Sequence, residues 1–114
     1  MVTYTCDGEF HPRLRCTPAR DHGPEDVYEI RTWGGELRGT IPEVGHTYAV
    51  VNLMNEHQVT IAETTTGGRE ECINPDGMLH YWHLMRLALQ RATTARECVE
   101  VMGALVAAHG YRSS

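Results

Sequence analysis

The sequence predicts an α+β domain, and three observations carry that prediction. Runs of β-branched and aromatic residues fill the first part of the chain, the composition that strands favour. The hydrophobic period then changes to helical spacing in the last third. Strands come first and helices after, the order in which helices cover one face of an antiparallel sheet. At 114 residues and 12.8 kDa, the chain has room for one domain.

Residues 2–7 (Val-Thr-Tyr-Thr-Cys-Asp) read as a strand, with Val2, Tyr4 and Cys6 on one face and Thr3, Thr5 and Asp7 on the other. Residues 8–25 are polar and hold Pro12, Pro18 and Pro24, so they read as an irregular connection. Residues 26–33 alternate Val27, Glu29 and Arg31 against Tyr28, Ile30 and Thr32. Gly34 and Gly35 supply a turn, and residues 37–41 return as the second strand of a hairpin.

Residues 46–53 are nearly continuous apolar sequence, which suits a strand covered on both faces. Asn55, Glu56 and His57 make a polar turn, and residues 59–65 return as its partner strand. Gly67 and Gly68 end it. Pro75, Asp76 and Gly77 form a turn before the first helix. That helix runs from Met78, with Tyr81, Trp82, Met85, Ala88, Leu89 and Ala92 as its apolar face. His80, His83, Arg86 and Gln90 fall on the opposite, polar side.

The second helix begins at Thr94, where Thr94 and Glu97 fit a capping box. Its apolar stripe is Ala95, Cys98, Val99, Met102, Leu105 and Val106, and Gly110 is its C-terminal cap. The short connection predicts an antiparallel helix pair. Two helices cover one face of a sheet, while the run at 46–53 asks for cover on both. The sequence therefore predicts part of a larger domain, or a homo-oligomer that covers its bare sheet with a second copy.

Composition excludes several function classes. A 41% hydrophobic and 22% charged chain is globular rather than a disordered tail. The net charge is −5 and all ten basic residues are arginine, so the footprint of a nucleic-acid binder is missing. No run of about 18 apolar residues exists, which excludes a membrane helix. No signal peptide is visible at the N-terminus, and a cytoplasmic location is expected. Cys6, Cys16, Cys72 and Cys98 lack any Cys-x-x-Cys pairing and read as reduced thiols.

The candidate chemistry is sparse. His80 and His83 stand three apart on a helix, but no third ligand joins them, so they read as solvent-facing residues rather than a metal site. Gly67-Gly68-Arg69 lacks the strand–loop–lysine arrangement of a phosphate loop. Cys6 and Asp7 face opposite sides of their strand and would not act together. The polar clusters at 55–58 and 63–70 sit at strand ends, where sites are often built, although Asn and Gly also favour turns for backbone reasons.

Those clusters carry a resemblance. Residues 54–65 (Met-Asn-Glu-His-Gln-Val-Thr-Ile-Ala-Glu-Thr-Thr) followed by Gly67-Gly68-Arg69-Glu70-Glu71 look like the signature of the secernin-type dipeptidases. The likeness continues through residues 74–77, 84–92 and 94–97, and includes residues 2–7 and 46–51. These dipeptidases are N-terminal-nucleophile hydrolases. The implied fold is a four-layer αββα sandwich with helices outside two packed antiparallel sheets. Residues 1–114 would be part of that domain, without the nucleophile strand and the C-terminal remainder.

The resemblance implies hydrolysis of dipeptides through a cysteine at the mature N-terminus, with no cofactor and no metal. That cysteine would lie upstream of Met1, so the 114-residue chain is expected to be inactive alone. Cys6 matches a position that the family usually gives to a small residue. Asp7 matches an acidic residue that orients the nucleophile or its amine. Glu63 and Thr64 fall where related enzymes hold an oxyanion or substrate. Asn55 belongs to the signature and also suits a turn. Gln58 and Thr66 depart from the family, which often has glycine and phenylalanine there. The residues alone leave a second reading open, a non-catalytic α+β interaction module derived from such an enzyme.

Overall fold

The computed structural model describes residues 15–64 and 66–112. The expected strand at 2–7 lies outside them. The described chain is α+β: short antiparallel strands, then two packed helices.

Strands β1 (Cys16–Thr17) and β2 (Arg20–Asp21) come from the stretch expected to be irregular. Pro18 lies between them and cannot donate to a ladder, which keeps both short. β3 (Val27–Arg31) and β4 (Leu37–Pro42) form the expected hairpin, with Tyr28 opposite Ile41 and Ile30 opposite Gly39. Alternation sends Ile30 and Ile41 into the core at 0% and 1% exposure, while Val27, Glu29 and Arg31 face out. The turn is closed by Thr32, whose carbonyl accepts from Gly35 and whose Oγ1 accepts from Glu36. Gly35 has φ 89°, a conformation open to glycine without a Cβ penalty.

The apolar run at 46–53 is not one strand. It splits into β5 (His46–Thr47), paired with β2, and β6 (Val50–Val51), paired with β1 and with β7 (Met54–Asn55). The break falls where the Tyr48 N–H leaves the sheet to bond the Gln90 carbonyl, 2.8 Å away on a helix. An unexpected turn at Asn52 and Leu53 separates β6 from β7, and the expected polar turn follows it, closed by the Gln58 N–H to Asn55 carbonyl bond at 3.0 Å. Asn52 takes φ 52°, which Asn tolerates better than most residues. The expected partner strand at 59–65 shrinks to a bridge, Met54 with Thr60, and an Ile61 N–H to Leu53 carbonyl bond. Gln58 has φ 63°, the left-handed region that favours glycine.

A 3-10 turn (Glu70–Cys72) precedes the helices. Gly77 is buried, and a Cβ there would stand 2.5 Å from the Tyr111 backbone, so only glycine lets the chain pass. Leu79 then bridges Tyr111 in parallel.

Helix α1 (Tyr81–Arg91) shows only Arg86 as an exposed residue. The expected polar face is therefore wrong for His83 and Gln90, which are 4% and 6% exposed. α1 is a central helix: strands pack on one side and α2 (Ala95–His109) on another, so little of it reaches water. One cluster joins Ile30, Ile41, Leu79, Leu84, Leu87 and Leu105. The other joins Val50, Val59, Ala88, Leu89, Ala92 and Cys98.

The α2 stripe differs from expectation at Ala95, which is exposed, and at Val99, which is 68% exposed; Val101 packs inward beside Cys98, Met102 and Leu105. Thr94 Oγ1 accepts from the Glu97 N–H as expected. The return half of the box shifts by one residue, because Glu97 accepts from the N–H and Oγ1 of Thr93, each at 2.7 Å. Those bonds hold the Glu97 carboxyl below its usual pKa. Gly110 caps the helix at φ 72°, its N–H bonded to Val106.

Candidate functional site

A helix end leaves its last carbonyls without intrahelical donors. At the end of α1 these carbonyls recruit the polar turn after β7. Asn55 Nδ2 donates to Leu89 O at 2.9 Å and to Ala92 O at 2.7 Å. Asn55 Oδ1 accepts from the N–H groups of His57 and Val59, both at 3.0 Å. An amide side chain has two donor hydrogens and one carbonyl oxygen, and all are engaged here. Tyr48 N–H takes the Gln90 carbonyl and Cys98 Sγ lies 3.7 Å from the Ala88 carbonyl. Arg91 finishes the clamp by pairing with Glu43 at 3.2 Å, both nearly buried.

Asn55 thus fixes the turn at 56–58 and the residues that follow. Two residues beyond Ile61 comes Glu63, half-buried, with Oε1 buried and without a hydrogen-bond partner. A buried carboxylate oxygen left unpaired is costly, so it marks a place that can receive a donor. Thr64 beside it is exposed. The fold therefore joins Asn55 to the segment carrying Glu63 and Thr64. Asp7 lies outside the described residues.

The N-terminal end of α1 holds groups that the sequence reading undervalued. His83 was expected in solvent; instead its Nδ1 accepts from the His80 N–H at 3.1 Å. Its Nε2 stands 3.0 Å from the Arg31 carbonyl and 3.1 Å from the Trp82 indole N–H, so it donates to the first when protonated or accepts from the second when not. Burial lowers the His83 pKa, the bond to Arg31 opposes this, and the nearby His80 lowers it further. With both nitrogens engaged, His83 locks α1 to β3 rather than moving protons. His80 is also held below its ordinary value, by burial and then by Arg38, and its Nδ1 is buried without a partner. His83, Arg86, Gln90 and Arg91 do offer this helix a polar side, so its period carried no signal that packing buries His83 and Gln90.

The described cysteines are all free. Cys98 is buried, and burial followed by the Glu97 charge raises its pKa, so it is a core thiol. Cys16 and Cys72 are exposed. Among the described residues no histidine is hydrogen-bonded to any of these three thiols, and no three His, Cys, Asp or Glu side chains converge as a metal-binding group. Nor is any helix among them long and apolar enough to cross a membrane.

One known family matches. The model described as peptidase family C69 covers residues 24–114, a span that includes Asn55, Glu63, Thr64 and both helices. No solved structure matches the chain.

Proposed function

The chain belongs to peptidase family C69, a dipeptidase and secernin-type family, and from that premise we propose that it is part of a dipeptidase with a cysteine nucleophile. At family level the function is peptide-bond hydrolysis. The observation that supports a site on this chain is the unpartnered, buried Glu63 oxygen on the segment that Asn55 holds in place.

In the proposed mechanism a cysteine at a mature N-terminus attacks the dipeptide carbonyl. Its own α-amine, with a pKa near ~8, takes the thiol proton and returns it to the leaving amine. The carbonyl carbon becomes a thioester, and water then releases the acid and the thiol. Glu63 and Thr64 hold the substrate, the Glu63 carboxylate accepting from the substrate's amino group and Thr64 acting through its own hydroxyl. Asp7 orients the nucleophile. Asn55 acts as a positioning residue, since its own bonds are all internal. The surrounding domain is proposed to be the four-layer sandwich, which would cover the exposed Val51 and Met54.

None of the four cysteines in this sequence is the proposed nucleophile, so the 114-residue chain alone is proposed to be inactive. The test compares dipeptide hydrolysis by this chain and by the product of its complete genomic reading frame. Turnover by the complete product is expected, with Glu63→Gln lowering kcat/KM by about tenfold or more through loss of a charge-assisted bond. Turnover by the 114-residue chain that Cys6→Ala abolishes would overturn the assignment.

A further inference from the structure

At the other end of α1 from Asn55 a cleft of about 710 Å³ opens between the β3–β4 turn, the start of α1 and the C-terminal segment. An eleven-residue helix places the two ends roughly 16 Å apart. Trp33, Leu37, Arg38, His80, Trp82 and Arg112 line the cleft. Trp33 and Leu37 are 60% and 53% exposed, although large apolar side chains gain most by burial.

The aromatic walls are held in place. His80 stacks on Trp82 with ring centres 4.2 Å apart and planes 8° apart. Trp33 meets Trp82 edge-on at 5.4 Å. The buried His80 Nδ1, which has no partner, lies in the same wall. Aromatic clefts attract cations through the ring faces. Here Arg38, which also donates to the Pro75 carbonyl at 3.3 Å, and Arg112 bring two positive charges to the lining, so a cationic ligand is repelled. Guanidinium groups instead recognise carboxylate and phosphate. Glu36, also in the lining, disfavours a ligand with more than one negative charge.

We propose that this cleft binds the carboxylate end of a peptide whose last side chain is aromatic or aliphatic. The carboxylate meets the arginines, and the apolar side chain covers Trp33 and Leu37. The choice of a peptide rests on the peptidase reading; the preference for an apolar monoanion rests on the cleft alone.

Trp33 and Trp82 are the two tryptophans of the sequence, so intrinsic fluorescence reports on this cleft. The experiment titrates the 114-residue chain with N-acetylphenylalanine, with N-acetylphenylalaninamide and with inorganic phosphate. Saturable binding of the acid is expected, with the amide about tenfold weaker or more, as loss of a charged hydrogen bond implies. Arg38→Gln and Arg112→Gln should each weaken the acid and leave the amide unchanged. Equal binding of acid and amide, no binding of either, or phosphate binding more tightly than the acid would overturn the proposal. The acid–amide comparison uses the unaltered chain, so it stands even if a variant fails to fold. Hydrolysis is not read, so failure of the catalytic assignment leaves this result intact.

Discussion

The two ends of helix α1 solve the same problem in opposite ways. At its C-terminal end the free carbonyls are taken by Asn55 and Tyr48 from the neighbouring strands and by Cys98 from α2. At its N-terminal end His83 accepts from the N–H of His80, the residue that caps the helix, while the rings around it leave a cleft open to solvent. One end is a closed joint in which each Asn55 group has a protein partner. The other exposes tryptophan and leucine and leaves His80 Nδ1 unpaired. Buried unpaired atoms occur at both ends, Gln90 Oε1 and Arg91 Nε at the closed one and His80 Nδ1 at the open one. The difference therefore lies in the cleft and its exposed tryptophan.

The largest test of this contrast is Asn55→Ala. Removing the amide strands buried backbone carbonyls and N–H groups, each of which costs about 1–3 kcal/mol when unsatisfied, with partial recovery through water. A loss of about 3 kcal/mol is expected from urea denaturation, read as a lower midpoint at an unchanged slope. A loss below about 1 kcal/mol would show that the joint is not closed.

An intermediate effect comes from acid. Burial holds the pKa values of His83 and His80 below the ordinary 6.5. As pH falls through that value, the unfolded chain takes up protons that the folded one refuses. Unfolding then binds protons, so stability is full above the ordinary value and declines below it. Urea midpoints measured between about pH 7.5 and 5.5 should fall, and fall less steeply in His83→Gln. Equal slopes in both proteins would remove His83 from the account.

The smallest effect is expected at Gln58, in the turn that Asn55 fixes. Its φ of 63° suits glycine. Gln58→Gly should stabilise the chain by about 0.5–1 kcal/mol, because the left-handed strain exceeds the added freedom of the unfolded chain. A thermal melt that moves down instead would show the strain is already relieved by neighbouring contacts.

Much of the local structure was legible in the sequence. The alternation of Tyr28 and Ile30 against Glu29 and Arg31 placed the inward face of β3 correctly. Thr94 and Gly110 marked both ends of α2. The family was legible too, and its model matches residues 24–114. The strand expected at 46–53 failed because Tyr48 serves the end of a helix that lies 42 residues later in the chain. His83 was misplaced for a similar reason. Period alone assigns a histidine to the wet side, whereas the Arg31 carbonyl supplies a partner inside.

The sequence by itself determined the β3–β4 hairpin and its inward face, the two helices, the caps of α2 and the family. These depend on neighbours a few residues apart, where side-chain spacing and backbone preference act directly. Only the tertiary structure decided that Asn55 is a clamp, that α1 is buried on nearly all sides, and that two tryptophans and two arginines share one cleft. Those outcomes depend on which distant backbone groups lack partners. A buried polar group must find a partner, and only the folded chain sets which one it meets.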